Sequence, residues 1–264
     1  TTSADDATIT LNTSTNAFTG AVTLTTNDGD GTAADVTIDG GTTALVIAAS
    51  TVDGDLTLTS GNVAGITDTG TLTIGGNLSA TTDDNAGVVT LDSLAVDGSI
   101  ALATNSTGNA TVSNDAGLIF AASTVGGTLS ATAVTGNVSD TGTQAITGAA
   151  TYITQATGSN IILDDSANTY AAQVTFKADT GGNEAFGNLT FVDTGGIKLD
   201  ADADAAGDLF IDGSTDGAVG GNLTLTSVTG NVTQGVALAV TGTTTVTTSA
   251  DDATITLNTS TNAF

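Results

Sequence analysis

The chain of 264 residues carries two Lys, no Arg or His, and 28 acids, for a formal net charge of −26. That balance excludes nucleic acid and anionic membrane surfaces as partners, because both are held through Lys and Arg. With 57 Thr and 34 Gly, only 3% aromatic residues and no Pro, Cys or Met, the composition predicts many short strands and polar turns rather than helices.

Residues 1–18 open the chain with a strand signal, Ile9 and Leu11 alternating with Thr8, Thr10 and Asn12. Val22 and Leu24 beside Thr23 and Thr25 repeat it. An acidic turn follows, Asn27-Asp-Gly-Asp-Gly31, which places Asp28 and Asp30 close to Asp35. Leu45 to Thr51 then leads into Val52-Asp-Gly-Asp-Leu-Thr-Leu-Thr59, and the same approach recurs at Leu118 to Thr124. The octet returns as Val125-Gly-Gly-Thr-Leu-Ser-Ala-Thr132 and as Val219-Gly-Gly-Asn-Leu-Thr-Leu-Thr226, each time followed by a Gly-Asn-Val turn. Period-two alternation gives each such strand one apolar face and one hydroxyl face. Between the last two octets lies Asp200-Ala-Asp-Ala-Asp204.

Residues 247–264 repeat residues 1–18 letter for letter. A tandem unit of 246 residues explains this, 1–246 plus the start of the next copy at 247–264. Inside it lie three diverged modules, 52–124, 125–218 and 219–264 continuing as 19–51. Unequal module lengths suit a solenoid, which tolerates insertions at its turns. An immunoglobulin-type sandwich is the competing architecture. It needs a constant domain length and an aromatic anchor, whereas the aromatics here are spread singly. The expected fold is therefore all-β, one continuous parallel β-helix over 1–264. With roughly 20–25 residues per coil and coils about 4.8 Å apart, a 246-residue unit makes about 11 coils and rises roughly 50 Å.

The strings at 220–248 and 7–26 resemble the β-strand repeats of very large bacterial surface proteins, which are similar to filamentous haemagglutinins and autotransporter passenger stalks. The resemblance implies a right-handed β-helix, export to the cell surface, and a role in adhesion or as an extracellular filament. It brings no catalytic residues.

The acidic turns are the candidate metal sites. Hard cations such as Ca²⁺ take six to eight oxygens, and Asp200, Asp202 and Asp204 share one face if they lie on a strand. Asp28 and Asp30 form the second candidate. Neither stretch completes a helix-flanked calcium loop or a GGxGxD calcium roll, so a solvated acidic turn is the competing reading, and no cofactor other than calcium is expected. The paired acids Asp5-Asp6, Asp83-Asp84, Asp164-Asp165 and Asp251-Asp252 point to opposite faces of a strand and cannot flank a sugar as a glycosidase pair does. Without His, Cys or Arg, nucleophilic and phosphoryl-transfer chemistry lack their usual parts. The chain is expected not to be an enzyme. Asn residues at equivalent corners, such as Asn137, Asn188 and Asn222, are expected to hydrogen-bond the backbone of neighbouring coils.

These readings make the chain a structural component of an extracellular filament or adhesin stalk. Its expected partners are further copies of itself, in tandem or end to end, and cell-surface glycans. A carbohydrate- or ice-binding Thr face is the alternative, and a polysaccharide-cleaving β-helix is the third reading. Ice binding needs Thr-x-Thr in consecutive coils, of which Thr243 to Thr248 is an isolated suggestion.

Overall fold

The alternation of Val, Leu and Ile with Thr becomes strands of two to eight residues, and every strand pair described is parallel. The computed structural model describes residues 1–27, 34–179, 186–200, 208–212 and 218–264. Among them there is no helix. The fold is a parallel β-solenoid, and the chain divides into two compact units: Thr1–Ala116 with Ser123–Thr128, and Gly117–Ala122 with Leu129–Phe264.

In the first unit, Ile9–Leu11, Val36–Asp39, Leu56–Ser60, Leu78–Thr82 and Ile100–Ala103 pair in that order. Leu45–Ile47, Ile66–Asp68, Val89–Val96 and Ala110–Asn114 form a second face. Register puts like on like. Val36, Leu56, Leu78 and Ile100 line up inward, as do Ile38, Leu58, Ala80 and Leu102, and all are buried. Full burial of one such side chain is worth about 1.5–3 kcal/mol, so a column of them carries the unit without any large residue. The alternate positions, Thr37, Thr57 and Ser79, face outward.

The second unit stacks Leu118–Phe120, Val138–Asp140, Ile161–Leu163, Leu189–Asp193, Leu223–Ser227 and Thr244–Thr248. Its interior differs, because Phe120, Tyr152, Tyr170, Phe176 and Phe191 form one cluster with ring centroids 5.2–6.4 Å apart. Aromatics that lie singly along the chain are thus gathered in space. Coil spacing does this, since residues one coil apart in sequence are stacked neighbours.

Coil length also departs from expectation. Equivalent corner residues lie 20, 22 and 22 positions apart in the first unit. In the second they lie 23, 28, 34 and 21 apart, so two coils exceed 25 residues. The 34-residue coil includes two strands that pair with each other, Ile197–Leu199 and Asp208–Asp212, and the first face keeps register throughout: Ile161 pairs Leu189 and Leu189 pairs Leu223.

Two turns show how tight the winding is. Gly65 has φ +65°, and a Cβ there would run into the Val88 carbonyl of the neighbouring coil. Positive φ and backbone contact both demand glycine. At Ala110–Asn114 the register slips between Val112 and Asn114, and the buried Asn114 amide repairs the ladder. Its Oδ1 accepts from the Val96 N–H at 2.8 Å and its Nδ2 donates to the Val96 carbonyl at 3.1 Å.

Candidate functional site

Three features could carry function: acidic turns, the outward hydroxyl rows, and a polar seam in the second unit. Of the candidate metal ligands, Asp200 is half-buried at the end of Ile197–Leu199, and its carboxylate forms an ion pair with Lys198 Nζ. Asp202, Asp204, Asp28 and Asp30 lie outside the described residues. Among those described, no group of three or more carboxylates is gathered to hold a metal. Asp35 serves a different end, since its Oδ1 accepts from the Asp55 N–H at 2.8 Å.

That bond belongs to a column of corner side chains. Asp55 Oδ1 accepts from Asn77 N–H at 2.6 Å, and Asn77 Oδ1 from Ser99 N–H at 2.9 Å. In the second unit Asn137, Asn160, Asn188 and Asn222 each accept from the N–H of the next corner, at 2.6–2.9 Å. The expected Asn corners are therefore present, and Asp fills the same role where only an acceptor is needed. Side chains so engaged are tied to the fold.

The hydroxyl rows run for two to four coils. Thr10, Thr37, Thr57 and Ser79 align before Ala101 interrupts them. Thr224-x-Thr226 lies in register with Thr245-x-Thr247, so the Thr243 to Thr248 stretch has one matching neighbour. One coil earlier the pair becomes Thr190-x-Val192.

The polar seam was not visible as a site in the sequence. Four five-residue strands end on a buried hydroxyl, at Ser60, Thr82, Thr154 and Ser227. Asp193 aligns with Ser227 and replaces a hydroxyl with a carboxylate, which is the signal that marks it. Its Oδ1 accepts from Tyr170 N–H at 3.2 Å, and burial raises its carboxyl above the ordinary 3.8 against the pull of backbone N–H groups from Tyr170, Gly195 and Thr194. Asp140 is likewise raised by burial, while Asn168 Nδ2 donates to its Oδ2 at 2.6 Å. Asn168 Oδ1 in turn accepts from Gln144 N–H at 2.7 Å. Deeper in, the Tyr152 and Tyr170 hydroxyls bond each other at 3.1 Å, and burial keeps both un-ionised well above their usual range. A groove of about 490 Å³ borders the seam, lined by Tyr170, Asp193, Gly196, Lys198, Asn231 and Thr233 among others. Its carboxylate is engaged by backbone N–H groups, including that of Tyr170 one coil away, and its cation by Asp200.

A family model described as repeats of unknown function (DUF5649) matches three times, over residues 33–105, 107–177 and 186–264. No curated protein and no solved structure matches the chain.

Proposed function

The chain belongs to the DUF5649 family of repeats, and we propose that it is a structural repeat of an extracellular filament or of the stalk of a cell-surface adhesin. The observation that carries this reading is where the polar side chains are spent. Corner Asn and Asp, the buried Asp140 and Asp193, and the inward Ser60, Thr82 and Ser227 are bonded to backbone or to one another. They hold coils in register and leave the described surface with short hydroxyl rows instead of a converging reactive set. A net charge of −26 keeps such a surface soluble and repels like copies side by side, which favours a component that meets its own kind end to end.

Immunogold labelling of intact cells of the source organism, paired with protease shaving, tests the location. Label at the cell exterior, on threads or projections, supports the reading. Label confined to the cell interior, with the protein resistant to shaving, overturns it.

A further inference from the structure

The two identical segments share the same turns. Asp6 and Asp252 both take the left-handed conformation, φ 57° and 62°. Ala7 and Ala253 close the same turns, onto Ala4 and Ala250, at 3.4 Å in both copies. What differs is the edge each copy uses. The first is paired to the coil after it: Ile9 N–H donates to the Asp35 carbonyl at 2.9 Å, and Asn16 Nδ2 donates to the Asp39 carbonyl at 3.0 Å. The second is paired to the coil before it. Val232 N–H donates to the Thr254 carbonyl at 2.9 Å, Thr256 N–H donates to the Val232 carbonyl at 2.8 Å, and Asn262 Oδ1 accepts from Leu238 N–H at 2.9 Å.

Superposed on one eighteen-residue coil, the two sets of backbone bonds do not collide. The Ile9/Ile255 N–H serves the following coil and the Thr10/Thr256 N–H the preceding one, as alternation in a parallel ladder requires. The amide of Asn16/Asn262 uses Oδ1 backward, while its two Nδ2 hydrogens go to the Leu11 and Asp39 carbonyls in the first copy and one goes to Gln234 Oε1 in the second, so a shared coil keeps two of these three acceptors. On the second copy Ile255 is 45% exposed, while its partner Val232 in the coil before is at 0%.

We infer that residues 247–264 are a docking edge for a further copy of residues 19–264, in which 247–264 take the place of residues 1–18 and the Val36–Asp39 strand of that copy seats on Ile255–Leu257 with Ile255 opposite Val36. One coil then closes one copy and opens the next. The proposal deepens the structural reading and rests on it for its use in a filament, but its geometry is tested apart from any cellular location.

Amide hydrogen exchange tests it with an internal control, because identical sequences have identical intrinsic rates. In the 264-residue chain, Ile9 should exchange at least about tenfold more slowly than Ile255, and Thr256 correspondingly more slowly than Thr10. In a chain extended after Phe264 by a second copy of residues 19–264, Ile255 should slow to the rate of Ile9 while Thr256 stays slow. Equal protection of Ile9 and Ile255 in the single chain overturns the proposal, even where the extended chain does not fold. Unchanged fast exchange of Ile255 in a folded extended chain overturns it as well. Failure of the surface labelling with success here removes the filament reading and leaves the docking edge standing.

Discussion

Asn188 shows what one corner residue does. Its N–H reaches back to Asn160 and its Oδ1 takes the N–H of Asn222, so a single residue joins three coils. A net hydrogen bond is worth about 1 kcal/mol, and Asn188→Ala is expected to lower the melting temperature by about 2–4 °C. Asn188→Asp keeps the acceptor, as Asp35 and Asp55 do naturally, and should cost less than half of that. Differential scanning calorimetry of the two variants checks this; equal losses would show that the acceptor is not what matters. At Tyr152, which touches Phe120, Tyr170 and Phe176, truncation to Ala should cost about 3–5 kcal/mol. Tyr152→Phe gives up the bond to Tyr170 alone and should cost about 1 kcal/mol, both read from denaturant unfolding followed by circular dichroism.

At the scale of strands and turns, Gly65 sets a stricter test. Gly65→Ala adds a methyl where the Val88 backbone already stands and forces a non-Gly residue to φ +65°. The expected result is loss of protection for Leu45–Ile47 and Ile66–Asp68, the strands this turn positions, seen by hydrogen exchange, whereas Gly20→Ala, with open space around it, should be silent. Strand placement was legible in the sequence because period-two alternation at Leu56 to Ser60 or Leu223 to Ser227 states which face is buried. Corner Asn residues were legible in part, since Gly-Asn-Val or Gly-Asn-Leu stands immediately before the strands at Val138, Leu189 and Leu223, whereas Gly61-Asn62-Val63 leads into a turn. The seam of Asp140, Asn168 and Asp193 was not, because its members lie 25 to 28 positions or more apart and meet through coils whose lengths the turns set individually. Asn114 was hidden for a related reason: a register slip has no local signature until the partner strand is known.

For the molecule as a whole, charge is the dominant long-range term. Asp68, Asp140 and Asp193 all have carboxyls raised above the ordinary 3.8, with burial the largest cause. A raised carboxyl binds its proton more tightly folded than unfolded, so the stability linked to it is fully present below 3.8 and is lost as pH rises through the raised value. Self-repulsion among 28 acids acts in the same direction. The melting temperature should therefore rise as pH falls from neutral toward the ordinary 3.8 of these carboxyls, opposite to the acid destabilisation of proteins held by salt-bridged carboxylates. Raising NaCl from about 10 to 150 mM shortens the screening length from about 30 to 8 Å and should raise it too. A melting temperature that falls along either axis would show that local pairing outweighs repulsion.

The uneven coils carry a consequence for phase. From Asn160 to Asn188 the chain takes 28 residues and from Asn188 to Asn222 it takes 34, yet the corner bonds are 2.6 and 2.9 Å. Each corner amide resets the phase, so an inserted or deleted stretch is forgotten within one turn instead of shifting everything downstream. A frame keyed at its corners holds its phase whether a coil takes 21 residues or 34, in the manner of type set line by line with a fixed margin.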